Sequence, residues 1–223
     1  SRDSWYSSED EIQRSIGGLY RTVFFTLNGN ESTIDYSPWS DDNQSRASLN
    51  FITGGTINGE SDQVKKRWQN GYKAIARANI LLEKLEDANS VGISEEKKQL
   101  YRAQTLFVRA TQYAILTSLF GDVVYIDKEI SIDEAFEMGR TDREEVMENV
   151  YKDLDEAIAL YNQSGMDRDA AQVWMPNVNV AHAVYARAAI TKQDYTKALS
   201  EAKLARQNYP LMSNAEYQSG FCN

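Results

Sequence analysis

Residues 94–126 read SEEKKQLYRAQTLFVRATQYAILTSLFGDVVYI, a long helical pattern that ends at a glycine and continues as a short apolar run. Small and apolar side chains recur along it at steps of three and four, which places them on one face of an α-helix. They are Leu100, Ala103, Phe107, Ala110 and Ala114. Because three of the five are alanines, the pattern predicts that neighbouring helices pack closely on this face.

The two ends of this helix are also predicted by their residues. Ser94 suits the N-cap, although Lys97 rather than a glutamate three places on leaves the capping box incomplete. Gly121 can adopt the left-handed conformation that ends a helix. Residues 123–126 then form an apolar run typical of a buried extended segment.

Composition limits the kind of protein to which this helix belongs. The chain has 223 residues, of which 42% are hydrophobic, so it can bury a substantial core. The net charge of −9 and the absence of a long Lys/Arg cluster argue against nucleic acid, whose binding depends on neutralising phosphates. We therefore predict no nucleic-acid partner and favour a neutral ligand. A single cysteine, Cys222, excludes an internal disulfide.

The rest of the chain is predicted to be an all-α array interrupted by long loops. Helical periodicity covers residues 8–27, 62–120 and 141–208, with a polar, aromatic-containing loop insertion at 28–61 and an irregular acidic connection at 127–139. Ser8 with Glu11, and Thr141 with Glu144, have the spacing of capping boxes. We treat residues 1–223 as a single helical region.

The last two predicted helices, 177–191 and 195–208, match one tetratricopeptide repeat. In this repeat small residues allow close helix crossing and a proline ends the second helix. The matching positions are Ala186, Asp194, Tyr195, Ala198, Ala205 and Pro210, while His182 stands where an aromatic residue is preferred. Since at least three stacked repeats are normally needed for stability, the earlier helix pairs are interpreted as diverged hairpins of the same kind.

Four segments, in order along the chain, carry motifs that occur together in one known family. The first contains Trp68, Tyr72, Ile75, Arg77, Ala78, Asn79 and Leu82. The second is more specific and contains Ala103, Phe107-Val108-Arg109-Ala110, Tyr113 and Leu119-Phe120-Gly121-Asp122-Val123. The third contains Arg140, Glu145-Val146, Tyr151, Asp153-Leu154 and Ala157, and the fourth contains Asp194-Tyr195, Tyr209-Pro210-Leu211 and Tyr217-Gln218-Ser219-Gly220-Phe221. In this order they resemble the SusD/RagB-like family of outer-membrane lipoproteins.

The chain departs from the family pattern in sequence and in length. Arg102 or Gln104 replaces the usual glutamate beside the central helix face, and Val124 stands where proline is common. Members of the family are markedly longer and carry a lipidated N-terminal cysteine. We therefore expect this chain to be incomplete, the N-terminal portion of such a lipoprotein.

The resemblance implies a function without catalysis. A SusD-like protein binds an oligo- or polysaccharide at the bacterial cell surface, is lipid-anchored to the outer membrane, and delivers the glycan to a SusC-like TonB-dependent transporter. The alternative from the repeat pattern is a tetratricopeptide scaffold that binds a peptide or protein in its concave face. Glycan binding and peptide capture would distinguish the two.

The candidate ligand residues lie within the loop insertion, at residues 36–46. Carbohydrates are bound by aromatic faces against the sugar ring, with carboxylates, amides and arginine on the hydroxyls. This loop supplies that inventory in Tyr36, Trp39, Asp41, Asp42, Asn43 and Arg46. Two interpretations stay open, because Trp39 could instead anchor the loop to the helical body while the polar residues are solvated.

The other aromatic residues divide into core positions and candidates for a binding surface. Trp68 and Tyr72 have core spacing, whereas Tyr101, Tyr113 and Tyr185 lie off the alanine face and are candidates for a groove or a partner surface.

An enzyme, a metal and a cofactor have little support in the sequence. His182 opens an alanine-rich helix without a catalytic constellation nearby. Nucleotide-binding, HExxH and paired CxxC motifs do not occur, and Asp41-Asp42-Asn43 and Asp133-Glu134 lack EF-hand spacing. We predict no catalytic activity, no metal and no cofactor.

Overall fold

The computed structural model describes residues 6, 8–21, 55–86, 92–165, 175–207 and 209–221. These residues form eight α-helices. They are α1 (Glu9–Tyr20), α2 (Asp62–Glu86), α3 (Glu95–Phe120), α4 (Ile132–Glu137), α5 (Arg143–Gln163), α6 (Val178–Thr191), α7 (Tyr195–Arg206) and α8 (Asn214–Phe221). The prediction of an all-α, tetratricopeptide-like fold is confirmed.

Helix α3 is the central element, as its sequence predicts. It packs between α2 and α5 and also contacts α1 and α6, while α7 packs on α6. Ala103, Phe107 and Ala110 are fully buried on its inner face. The approach of α2 is close, because a Cβ atom added at Gly71 would lie 3.0 Å from a methyl carbon of Leu116.

The helix ends follow local chemistry. The Ser94 side chain accepts a hydrogen bond from the Lys97 amide, and Ser8 does the same for the Glu11 amide. Gly121 follows α3 with φ of 70°, a value that residues with a Cβ atom rarely adopt, and its amide donates to Thr117 O. These three predicted caps are confirmed.

The sequence prediction misses two helices and places one N-cap a residue too early. The connection at 127–139 contains α4, which Ser131 and Glu134 begin with a full capping box, and residues 214–221 form α8. Both helices were missed because their residues are largely exposed and give little apolar periodicity. Helix α5 begins one residue later than the capping box predicted, with Asp142 as its N-cap, because the Thr141 backbone pairs with Val123.

The predicted repeat at the C-terminal side is a compact helical hairpin. A tight turn joins α6 to α7, in which Gln193 has φ of 62° and the Asp194 amide donates to Ala189 O. Asp194 then caps α7 through the Lys197 amide. Ala189 is fully buried and Ala198 nearly so, which permits the close crossing that the small residues predicted.

None of the helices that the structure describes is both long and apolar enough to cross a bilayer.

Candidate functional site

A buried ion pair between α3 and α5 lies beneath the cleft that we consider the candidate site. Arg109 on α3 donates two hydrogen bonds of 2.7 Å to the two carboxylate oxygens of Asp153 on α5. Both residues are more than nine-tenths buried. The two-point contact fixes the planar guanidinium in one orientation.

Arg109 also forms hydrogen bonds with α2 and with the segment that follows α3. Its Nη1 lies 3.0 Å from Asn79 Oδ1 on α2 and 3.0 Å from the backbone oxygen of Asp127. Asn79 in turn donates its amide hydrogens to the backbone oxygens of Ile126 and Lys128. One buried network therefore joins α2, α3, α5 and the extended segment 121–130.

Two tyrosines complete the attachment of this segment. The Tyr72 hydroxyl donates to Val124 O at 2.8 Å, and the Tyr113 hydroxyl contacts both the oxygen and the amide of Ile126. Side chains thus satisfy backbone groups of a segment that lies outside any sheet. They hold the ring of Tyr125 with its centroid 4.9 Å from that of Tyr113.

Charge and burial set the ionisation of these groups. Burial disfavours the charged form of Arg109, but the hydrogen bonds and charge of Asp153 outweigh it and raise the pKa of Arg109. Burial also raises the pKa of Tyr125 to about 12, with the Asp153 carboxylate acting in the same direction. Both side chains therefore keep their ordinary protonation states at neutral pH.

Above this network lies a polar cleft of about 350 Å³. Its walls come from the C-terminal half of α2, the middle of α3, the segment 125–128 and the middle of α5. The lining residues are Asn79, Leu82, Glu83, Glu86, Arg102, Arg109, Tyr125, Asp127, Lys128, Asn149, Lys152 and Asp153. The cleft thus combines one aromatic ring and one apolar side chain with many hydrogen-bonding groups, a composition that suits a polar ligand with an apolar face.

Arg102 stands at the edge of this cleft, bonded to Glu86 on one side and Glu156 on the other at 2.7 and 2.6 Å. Beyond it a more open depression of about 520 Å³ is lined by Leu85, Glu95, Lys98 and Gln99 as well as Glu86 and Arg102. This second depression has no aromatic lining residue, so we favour the smaller cleft as the candidate site.

The candidate residues predicted from sequence lie outside the described residues. They are Tyr36, Trp39, Asp41, Asp42, Asn43 and Arg46. Their role in ligand binding stays a prediction.

The other predicted aromatic positions are described. Trp68 packs on Tyr72 and Phe120, with ring centroids 4.8 and 5.2 Å apart, which confirms the prediction of core packing. The suggestion that Tyr101, Tyr113 and Tyr185 line a groove or partner surface is wrong, because all three are at most 5% exposed. They are part of the hydrophobic core.

His182 has a structural role between two helices. Its Nδ1 lies 2.6 Å from Glu201 Oε2 on α7, and both side chains are largely buried. Glu201 also lies 3.3 Å from Lys197 Nζ, so the histidine belongs to a charged contact within the α6–α7 hairpin.

Within the described part of the chain, no group of three or more His, Cys, Asp or Glu side chains is arranged to hold a metal ion.

The cleft residues were not predicted as a site from sequence. Arg109, Asn79 and Asp153 were noted only as family motif positions, and 30 and 44 positions along the chain separate Arg109 from its two partners. Tyr125 was assigned to a buried segment. The signal that could have found the cleft is the run Tyr125-Ile126-Asp127-Lys128, in which an aromatic and two charged residues follow an apolar strand-like stretch.

Comparison with known proteins agrees with this architecture. The SusD-like family model described as "Starch-binding associating with outer membrane" matches residues 3–189. The chain therefore belongs to the SusD-like family, as the four motif segments predicted.

Individual relatives are similar over most of this chain. SusD-like protein P2 of Formosa agariphila is 27% identical over 232 residues, covering 98% of this chain and 44% of that protein. A SusD-like protein of Bacteroides ovatus is 21% identical, covering 92% of this chain and 37% of that protein. The chain thus spans less than half the length of these relatives.

Solved structures show the same fold. A SusD-like carbohydrate binding protein from Bacteroides fragilis superposes with a TM-score of 0.77 at 21% identity, covering 96% of this chain and 43% of that one. A laminarin-binding SusD-like protein superposes with a TM-score of 0.73 at 22% identity, covering 93% of this chain and 45% of that one. At this identity the similarity establishes the fold alone.

Proposed function

We propose that this protein binds a glycan at the bacterial cell surface and delivers it to a TonB-dependent outer-membrane transporter. The observation that carries the proposal is membership of a family described as starch-binding and associated with the outer membrane, over residues 3–189. The laminarin-binding neighbour shares the helical fold and supports a glycan as the ligand class.

The proposed mechanism is capture on a rigid body. Helix α3 is packed by α2 and α5, and the Arg109 network holds the segment 121–130 against all three. Groups attached to such a body keep their relative positions when a sugar binds, which lowers the entropic cost of association. The SusC-like transporter and a lipid anchor on the outer membrane are part of the proposal and follow from the family.

We propose no catalytic step. Glycoside hydrolysis needs a pair of carboxyl groups, one of which has a raised pKa and acts as the acid. Among the described carboxyl groups, burial raises the pKa of Asp153, but both its oxygens accept hydrogen bonds from Arg109. A carboxylate held in this way is a structural counter-charge and a poor proton donor.

The test is calorimetric titration of the full-length gene product, its length checked by mass, against starch, laminarin and a panel of soluble oligosaccharides. Heat with one glycan class, and no new reducing ends after prolonged incubation, is the expected result. Trp39→Ala tests the loop: loss of heat with an unchanged melting temperature would assign ligand binding to residues 36–46.

A folded protein that binds none of these glycans would contradict the proposal. Capture of a peptide without any glycan binding would instead favour the tetratricopeptide scaffold. Release of sugar from the polysaccharide would show an enzyme.

A further inference from the structure

The cleft beside Tyr125 is electrically balanced on a chain whose net charge is −9. Its acidic lining residues number four, and its basic lining residues also number four. The acidic residues are Glu83, Glu86, Asp127 and Asp153, and the basic ones are Arg102, Arg109, Lys128 and Lys152. The formal charges of the lining therefore sum to zero, although the surrounding protein is acidic.

Four of these eight charges form two ion pairs. Arg109 pairs with Asp153, and Arg102 pairs with Glu86. Lys152 donates to the uncharged side chain of Asn149 at 3.2 Å, and Lys128 is exposed. The two ion pairs form a fixed polar wall and do not need a ligand charge to balance them.

Two carboxylates of the cleft are available to a ligand. Glu83 on α2 and Asp127 on the extended segment are exposed, and their side chains form no hydrogen bond or ion pair with another residue that the structure describes. Ionised carboxylates only accept hydrogen bonds, so the complementary group is a donor, and a hydroxyl supplies one without adding charge to the balanced lining. The lining itself has no net charge, because Lys128 and Lys152 offset these two carboxylates, and the acidic chain around it disfavours an anionic ligand.

Tyr125 supplies the flat apolar contact. Its ring is half-buried against Tyr113, and backbone contacts on either side hold its segment through Val124 O and Ile126 O. The carbon-bound hydrogens on one face of a sugar ring pack well on such an aromatic surface. Leu82 adds an apolar contact from α2.

From these observations we propose that the cleft binds an uncharged sugar, with the ring against Tyr125 and hydroxyls donating to Glu83 and Asp127. The volume of about 350 Å³ accommodates one or two sugar units. The inference rests on the proposed glycan-binding function and deepens it, because it names the charge class of the ligand and a site separate from residues 36–46.

The experiment compares binding by the full chain and by variants of the cleft. Tyr125→Leu removes the aromatic face, and the double variant Glu83→Gln with Asp127→Asn removes both charges at nearly constant shape. Asp10→Asn is the matched control, since Asp10 is an exposed carboxylate on α1 that pairs with Arg14 and does not line the cleft. Circular dichroism verifies that every variant is folded.

The probes are neutral hexasaccharides, namely laminarihexaose, maltohexaose and mannohexaose, together with hexagalacturonate as the anionic counterpart. We expect the chain to bind one neutral probe and to bind hexagalacturonate at least about tenfold more weakly. The double variant should raise the Kd for the neutral probe about tenfold or more, because hydrogen bonds to charged groups are weakened. Tyr125→Leu should raise it about tenfold, because the aromatic contact with the sugar ring is lost. Asp10→Asn should leave it unchanged.

The contrary results distinguish failure of the cleft proposal from failure of the proposed function. Glycan binding that cleft variants leave intact, and that Trp39→Ala abolishes, overturns the cleft and retains the proposed function. Preferential binding of hexagalacturonate overturns the assignment of an uncharged ligand. Binding of no hexasaccharide and no polysaccharide by the folded chain overturns both the cleft and the proposed function.

Discussion

Arg109 is the residue that contributes most to holding the walls of the cleft together. It carries a charge into the interior and satisfies it with Asp153, Asn79 and the backbone of Asp127. Burying a charge is costly unless a partner and hydrogen bonds compensate for it. The pair is therefore more important for positioning α5 and the segment 121–130 than as a net source of stability.

Removing one partner of this pair should be severe. Asp153→Asn leaves the Arg109 guanidinium buried without its counter-charge, so the free energy of unfolding should fall by about 3–5 kcal/mol. Urea denaturation followed by circular dichroism measures the change. Glu156→Gln, which removes an exposed partner of Arg102, is the control and should cost at most about 1 kcal/mol. Equal effects of the two variants would contradict the role assigned to the buried pair.

A second residue-scale prediction concerns Glu9, which attaches α1 to α3. Hydrogen bonds from Lys97 and Tyr101 lower the pKa of Glu9 below its ordinary value of 4.5. Its contribution to stability is therefore full above pH 4.5 and is lost as the pH falls through the lowered pKa of the folded state.

The wild-type chain should thus be more stable than Glu9→Gln at neutral pH, and the difference should shrink below pH 4.5. Urea midpoints measured across this range test it. The same comparison made in a Tyr101→Phe background should give a smaller difference, because the two residues act together. If the stability difference grew on acidification, the pKa of Glu9 would be shifted in the opposite direction.

At the scale of elements, small residues set the distances between helices. Ala103 and Ala110 let neighbouring helices approach α3, and Gly71 brings α2 close enough to contact Leu116. The tyrosines on the other faces then fill the wider gaps, where Tyr113, Tyr161 and Tyr185 are among the largest fully buried side chains. Close crossing and large aromatic side chains are thus complementary parts of one packing arrangement.

Enlarging one small residue tests this packing. Ala110→Leu should overpack the fully buried inner face of α3 and lower the free energy of unfolding by about 1–3 kcal/mol. The melting temperature should fall accordingly. Ala202→Leu on the exposed side of α7 makes the same chemical change and should alter stability by no more than about 0.5 kcal/mol. An unchanged melting temperature for Ala110→Leu would contradict the close packing described for this face of α3.

At the scale of the whole molecule, stability is graded around α3. The α1–α2–α3–α5–α6 assembly contains the core residues, whereas the residues of α8 whose side chains are described are all exposed. Local opening is easiest where few apolar contacts are buried.

Hydrogen exchange should show this gradient directly. At neutral pH, backbone amides in the middle of α3 should exchange most slowly, near the rate of global unfolding, while those of α4 and α8 should exchange fastest among the helices that the structure describes. Mass spectrometry of peptic fragments measures both in one experiment. Protection of α8 equal to that of α3 would show that α8 is covered in solution.

Much of this fold could be predicted from local patterns. The period of Leu100, Ala103, Phe107 and Ala110 predicted the central helix, and Ser94 and Gly121 predicted its ends, because caps and helical faces depend on residues a few positions apart. Helices α4 and α8 were missed since they bury little, and the cap of α5 moved to Asp142 because Thr141 pairs with Val123.

The sequence by itself determined that the chain is an array of helical hairpins and, through the order of its motifs, that it belongs to the SusD-like family. Only the tertiary structure decided that Arg109 pairs with Asp153, that three elements hold the segment after Gly121, and that Tyr125 lies in a charge-balanced cleft. The physical reason is distance along the chain. Periodicity and capping act over one or two turns, whereas a buried ion pair and a cleft bring together residues tens of positions apart.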